Sequence, residues 1–412
     1  MEFKSIISRM AAVETCPPAA IDLATPATAV EEVKVYTTFD DMDLPENLLR
    51  GIYANGFERP SAIQQKGIMP IKAGRDILAQ AQSGTGKTGT FTIGSLCRVD
   101  PSIRRVQVLV LAPVRELAQQ IEGVVKALSQ HMGVSVYSAT GGTPLRDDVR
   151  AIEKGCQYLI GTPGRIFDLM NRNILSRDNI RVLIFDEADQ MLEDRFKEQV
   201  MCILEKGFPK ETQVALFSAT MDPEVIQVAN LILQNPVKIL VDADAVPLDG
   251  IKQYYVALDK EEWKFEVLCD LYQQLNISQA LIYCNKRQRA EWLAEKMSSQ
   301  GFPLSCIHGE MDVEERKKRM NDFRKGAVRV MISTDLLARG IDVQQVSLVI
   351  NYELPMQKEN YIHRIGRAGR FGRKGVTINL ICPEEKRALS EIEEHWRIPL
   401  EALPTDLGKI PL

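Results

Sequence analysis

A chain of 412 residues with a net charge of −4, 45% apolar and 26% charged, reads as two ordinary globular domains rather than one. Its 51 basic and 55 acidic side chains exclude a broadly cationic surface, so any nucleic acid must meet a local groove of Lys, Arg and backbone N–H groups. No apolar run reaches the ~18 residues of a membrane span, and the eight cysteines form neither CxxC pairs nor zinc spacings with His, which argues for reduced thiols.

The start, MEFKSIISRMAAVETC, carries Arg9 inside a short apolar segment and does not read as a signal peptide. The Ala-, Pro- and Thr-rich stretch that follows has no period, so residues 1–34 are expected to be a mobile tail. Residues 35–241 then alternate apolar runs with amphipathic stretches. RDILAQA (75–81), VQVLVLAP (106–113), QYLIGTP (157–163), VLIFDEAD (182–189) and QVALFSAT (213–220) predict buried strands of a parallel sheet. Residues 242–250, acidic with Pro and Gly, are the expected linker. In 251–412 the series restarts with QALIYC, LSCIHG, VRVMISTD, LVINYELP and VTINLI. The fold class is α/β, with two parallel sheets covered by helices.

Nearly every predicted strand ends in a polar cluster, and ligands of open parallel sheets sit beyond the carboxyl ends of strands. After the first strand, Ser83-Gly84-Thr85-Gly86-Lys87-Thr88 runs into a helical pattern. Small residues let backbone N–H groups approach phosphate, and the helix dipole adds to the attraction. Lys87 would reach the β- and γ-phosphates and Thr88 would hold Mg²⁺. Ala81 stands where that pattern begins with Gly, and a solvated Gly/Ser turn is the alternative. In DEAD (186–189), Asp186 would orient Mg²⁺ and Glu187 would position the attacking water; a solvated acidic helix start is the other reading. HRIGRAGRFGR (363–373) spaces Arg364, Arg367, Arg370 and Arg373 three apart, suited to gripping phosphate, or else to a solvated basic loop.

Together these pieces resemble the DEAD-box family of superfamily 2 helicases over residues 36 to 395. Phe39 and GFERPSAIQ (56–64) are similar to its Q motif; AQSGTGKT, PVRELA, GG (141–142), TPGR, DEAD, SAT (218–220), ARGID (338–342) and HRIGRAGR follow in order. The resemblance implies two RecA-like domains that bind ATP with Mg²⁺ and close on single-stranded RNA or a short duplex. It implies that Gln64 and Arg59 select adenine and that Phe39 stacks on it. Gly340 and Asp342 would lie at the nucleotide. Arg367 and Arg370 would be arginine fingers, and His363 with Asp189, Ser218 and Thr220 would couple nucleotide to closure. RNA phosphates would meet Pro113, Arg115, Gly142, Thr162 and Arg165 in the first domain, and Gly309 and Thr334 in the second.

The stretches 249–272, 335–355 and 361–376 resemble the translation initiation factor 4A branch, which includes its exon-junction relative. That implies an RNA-stimulated ATPase and helicase of translation initiation, monomeric, cytoplasmic, off the membrane and controlled by a scaffold-type protein regulator. The alternative is an ATP-gated RNA clamp that serves as an assembly platform in nuclear mRNA or rRNA processing. Val114, Lys286 and Val313 depart from the family pattern, which has Thr, Thr and Gln there.

Overall fold

The computed structural model describes residues 34–81, 84–192, 194–240, 250–275, 277–338, 346–368 and 375–410. Except for Lys34 and Gly250, the expected tail and linker lie outside them. The chain divides into two compact units with a boundary between residues 241 and 242.

The first unit holds seven strands: β1 (Ile77–Gln80), β2 (Val108–Leu111), β3 (Val136–Ala139), β4 (Tyr158–Gly161), β5 (Val182–Asp186), β6 (Gln213–Ser218) and β7 (Val237–Leu240). Their order is β3-β4-β2-β5-β6-β1-β7, and every pairing is parallel. The second unit holds β8 (Ile251–Ala257), β9 (Ala280–Tyr283), β10 (Leu304–Ile307), β11 (Val330–Ser333), β12 (Leu348–Asn351), β13 (Gly375–Ile381) and β14 (Glu401–Ala402). Its order is β10-β11-β9-β12-β13-β8-β14, again all parallel. Strand for strand the two orders are the same, although the two halves do not repeat in sequence. Among the described residues no helix is long and apolar enough to cross a membrane.

Successive side chains of a strand point to opposite faces. In β2, Val108 and Val110 enter one core while Leu109 and Leu111 enter the other. In β9, Ala280 and Ile282 face one side and Leu281 and Tyr283 the opposite side. Both sheets are therefore covered on two faces, and the ten apolar runs singled out in the sequence contain β1, β2, β4, β5, β6 and β9–β13. The sequence pattern did not single out β3, β7, β8 and β14. Three of the four residues of β3 are half-buried at a sheet edge, where an apolar run is not required. At one edge of the second unit's sheet, β14 is two residues long and exposed.

One close approach locks the first unit's N-terminal segment to its core. Helix Glu46–Ala54 crosses the end of helix Arg115–Leu128 at Gly51, where a Cβ would lie 2.0 Å from the Leu128 carbonyl oxygen. Asn55 Nδ2 adds hydrogen bonds to the carbonyls of Gly51 (2.7 Å) and Ala127 (3.0 Å). Gly51→Ala is expected to cost about 1–3 kcal/mol, as overpacking does. Urea unfolding checks this; an unchanged midpoint would mean that the two helices separate without penalty.

Candidate active site

The strand order sorts the polar clusters into two groups. The carboxyl ends of β5, β6 and β1 are neighbours and carry DEAD, SAT and the glycine-rich loop. The ends of β3, β4 and β2 are neighbours and carry GG, TPGR and PVRELA. In the second unit β10, β11 and β9 group HGE, STD and CNK in the same way.

In the first group, Gly84 and Gly86 have φ of 86° and 105°, a region that favours glycine. Helix Lys87–Leu96 begins immediately after. A Cβ on Gly86 would lie 2.6 Å from Ser61 Oγ and 2.8 Å from Gln64 Nε2; one on Gly89 would lie 2.5 Å from that same nitrogen. Gln64 is thus packed onto the loop. Its Nε2 donates to the Gly86 carbonyl (3.3 Å), and its Oε1 accepts from the Ser61 N–H (2.9 Å). Arg59 is exposed and Thr85 and Thr88 are half-buried. Ser83 lies outside the described residues.

Phe39, expected to stack on a base, has no exposed surface: it sits in the core, edge-on to Tyr53 at 6.4 Å between centroids. The half-buried ring beside the loop belongs to Phe57, whose Cε1 would be 3.3 Å from a Cβ on Gly89. The sequence did contain that signal, since Phe57 is the aromatic residue within GFERPSAIQ itself.

At the head of β5, Lys87 Nζ lies 3.1 Å from Glu187 Oε1, with the two side chains 5% and 2% exposed. Glu187 reaches that position from a φ of 56°, strained for a residue with a Cβ, at a cost of about 1–3 kcal/mol. Its N–H donates to Asp186 Oδ1 (3.1 Å). The Asp189 N–H donates to Ser218 Oγ (3.2 Å), and the Thr220 hydroxyl lies 3.1 Å from Asp189 Oδ2 and 2.8 Å from Asp222 Oδ2. DEAD and SAT are therefore one hydrogen-bonded unit. Burial pushes the Asp186 carboxyl up to about 7; Lys87 opposes the shift and Glu187 adds to it.

In the second group, Arg115 Nη2 donates to the Gly141 carbonyl. Arg165 pairs with the wholly buried Asp148 and donates to the Thr143 carbonyl (2.7 Å); Asp148 also accepts from Tyr137 (2.8 Å). The two arginines expected at phosphate thus grip both flanks of the loop that carries Gly142, which is exposed with φ 80°. Asp148, which makes this clamp possible, had no mark in the sequence beyond an amphipathic helix. Pro113 is buried just before the N-cap Val114, and Thr162 is the N-cap of helix Pro163–Asn171. Neither N-cap makes a side-chain cap bond, so first-turn N–H groups point beyond the strand ends.

In the second unit Lys286 caps helix Arg287–Ser299, also without a side-chain bond. It follows β9 as Val114 follows β2, so two of the three family departures occupy one topological position. Val313 begins helix Val313–Arg324 after Asp312, whose carboxylate accepts from Glu314 and Glu315 N–H. Gly309 is exposed and its carbonyl accepts from Arg316 (3.3 Å); Thr334 caps the turn Asp335–Leu337. His363 and Arg367 are both buried, and Arg367 Nε donates to the His363 carbonyl (3.1 Å). Arg364 is wholly buried in side-chain contacts and is structural rather than a phosphate ligand. Gly340, Asp342, Arg370 and Arg373 lie outside the described residues.

The glycine cradle and the buried Asp186 fit a nucleoside triphosphate with a divalent cation, which Thr88 and Asp186 would hold. Because folding raises the Asp186 carboxyl from 3.8 to about 7, this group favours the ligand-free fold below pH 4 and loses that contribution as pH rises through 7. Asp186→Asn is expected to raise the melting temperature of the nucleotide-free chain more at pH 8 than at pH 5. Equal shifts at both pH values would show that Asp186 is already ionised in the fold.

Comparison with known proteins agrees with this geometry. The DEAD/DEAH box helicase family model matches residues 61–228, and the helicase conserved C-terminal domain matches residues 263–372. The chain is 51% identical over 377 residues to eukaryotic initiation factor 4A of Caenorhabditis elegans, covering 92% of this chain and 94% of that one. S. cerevisiae Dbp5 bound to RNA and ADP BeF3 superposes with a TM-score of 0.84 at 37% identity, covering 90% of this chain and 96% of that one. A Dbp5 variant bound to a Gle1 variant and IP6 gives a TM-score of 0.74 at 36% identity, with the same coverage.

Proposed function

The chain belongs to the DEAD-box helicases, and from that premise we propose that it is an ATP-dependent RNA helicase of the initiation factor 4A type, acting in cytoplasmic translation initiation. It closes on single-stranded RNA with ATP, locally separates short duplexes and releases RNA after hydrolysis. The buried Lys87–Glu187 pair carries this reading. ATP phosphates are the natural replacement partner for Lys87, and the exchange leaves the Glu187 carboxylate to orient water and accept its proton. Water oxygen then bonds the γ-phosphorus, the bond from that phosphorus to the bridging oxygen breaks, and ADP and phosphate leave. Mg²⁺, when bound, neutralises phosphate oxygens. Arg367 and Arg370 are assigned to the developing γ-phosphate charge, and such fingers are worth ~10³–10⁵ in turnover.

On the RNA side, the uncapped helix starts at Val114, Thr162 and Lys286 suit phosphate oxygens. A groove of backbone donors grips the strand without reading bases, so binding is sequence-independent and weakens with salt. Dbp5 is seen with Gle1, and a protein regulator of closure is proposed for this chain as well.

Steady-state ATP hydrolysis without nucleic acid, with single-stranded RNA and with matched DNA tests the proposal. Stimulation by RNA alone is expected, and equal rates in all three would overturn it. Glu187→Gln is expected to bind ATP and RNA but to hydrolyse at least ~10²-fold more slowly, the lower bound for the loss of a general base; normal turnover would remove Glu187 from its role. Phe57→Ala is expected to weaken ADP binding by roughly tenfold, about the worth of one stacked ring, while Phe39→Leu changes nucleotide affinity little. Calorimetric titration with ADP decides between the two rings.

A further inference from the structure

The second unit buries a polar chain that the proposed chemistry does not use. It starts at Arg364, which has no exposed surface. Its guanidinium donates to Asp335 Oδ1 (2.6 Å), the Glu353 carbonyl (2.7 Å), Asn285 Oδ1 (2.7 Å) and Asn351 Oδ1 (3.2 Å), and it lies 5.2 Å from the centre of the Tyr283 ring. A buried cation is tolerated only when so completely surrounded. From Asn351 the chain continues across the sheet. Asn351 Nδ2 donates to Asn379 Oδ1 (2.8 Å). Asn379 Nδ2 donates to the Tyr254 carbonyl (3.0 Å) and to Tyr361 Oη (3.1 Å). Tyr361 Oη donates to Gln253 Oε1 (2.9 Å). Asn351, Asn379 and Tyr361 are wholly buried, and Gln253 nearly so.

This chain has one polarity. A guanidinium only donates, so Asn351 must present its oxygen to Arg364 and its amino group to Asn379. Asn379 must then present its oxygen to Asn351 and its amino group to Tyr361, and the phenolic hydrogen is left for Gln253. No amide along the way can flip without two donors facing each other. Two members of the chain, Tyr361 and Arg364, belong to the same helix, Lys358–Ile365, and lie three residues apart on one of its faces. Between them in sequence is His363, whose carbonyl receives Arg367 Nε.

We propose that Gln253, Tyr361, Asn379 and Asn351 form a positioning relay that fixes the angle of helix Lys358–Ile365 and thereby the aim of Arg367. The relay rests on the reading of Arg367 as an arginine finger. Its members are buried and act through Arg367 rather than on substrate. Apolar packing alone would hold the helix against the sheet but would leave it free to roll. Two directional anchors one turn apart remove that rotation, and a misplacement of ~1 Å at a catalytic group costs up to ~10²-fold in rate.

The test uses the full-length chain and RNA-stimulated ATP hydrolysis. Tyr361→Phe deletes one oxygen and is expected to lower kcat about tenfold, within that range, with KM for ATP and RNA affinity unchanged. It also strands the Gln253 carbonyl, so the melting temperature falls. Tyr361→Phe with Gln253→Leu removes the stranded carbonyl but leaves the Asn379 N–H that Tyr361 Oη accepted, and is expected to recover part of the melting temperature without recovering kcat. In an Arg367→Ala background, Tyr361→Phe is expected to cost nothing further in single-turnover hydrolysis. Wild-type kcat in Tyr361→Phe refutes the relay alone. Recovery of kcat together with the melting temperature, or the same tenfold loss without Arg367, reduces the chain to structural support and overturns the proposal. Full RNA stimulation in Arg367→Ala by itself is a separate result that refutes the finger reading and removes the relay's target.

Discussion

Two cations taken out of water set the terms for both units. Lys87 has almost no solvent exposure and meets the equally buried Glu187 at 3.1 Å. Desolvating such ions costs several kcal/mol each, and a low-dielectric pair recovers that only when its geometry is held. Here it is held by backbone: the helix start after Gly86 aims Lys87, and a left-handed φ of 56° turns Glu187 towards it. The neighbouring Asp186 bears the consequence, since its own ionisation is suppressed by the same burial.

Arg364 is the counterpart in the second unit, with a different solution. Lys87 pairs with the Glu187 carboxylate beside Asp186, whereas Arg364 is surrounded by a carboxylate, a backbone carbonyl and two amide oxygens. The proposed exchange of partners concerns the first arrangement, whereas the second is held by four acceptors at once. That difference matches their places, one at the start of the helix after the glycine-rich loop and the other in the last turn of the helix that carries His363.

Parallel topology explains why motifs scattered over the chain act together. In each unit the second strand is inserted between the fourth and fifth, which divides the carboxyl edge into two neighbouring groups. In the first unit one group holds the phosphate loop with DEAD and SAT, and the other holds the three segments assigned to RNA. Asp189, Ser218 and Thr220 are hydrogen-bonded inside the first group, so two bonds tie the end of β5 to the end of β6.

The sequence by itself determined the fold class, ten of the fourteen strands among the described residues and the family, because buried parallel strands are continuous apolar runs and the motifs follow a fixed order. It also placed Lys87, Asp186 and Glu187, since glycine-rich loops and strand-end acids are local signals. Only the tertiary structure decided which side chain faces what. Phe39 and Phe57 are both aromatic residues near the Q motif, yet one fills the core and the other stands beside the loop. Nothing local in the sequence pointed to the partners of Arg165 and Arg364, Asp148 and Asp335, which lie 17 and 29 residues away. The amides of Asn351 and Asn379 carry no local signal at all, because their meaning lies in a hydrogen-bond direction set by a guanidinium on another element. Periodicity reports burial along one element, whereas partner choice depends on long-range contacts that exist only once the sheets are assembled.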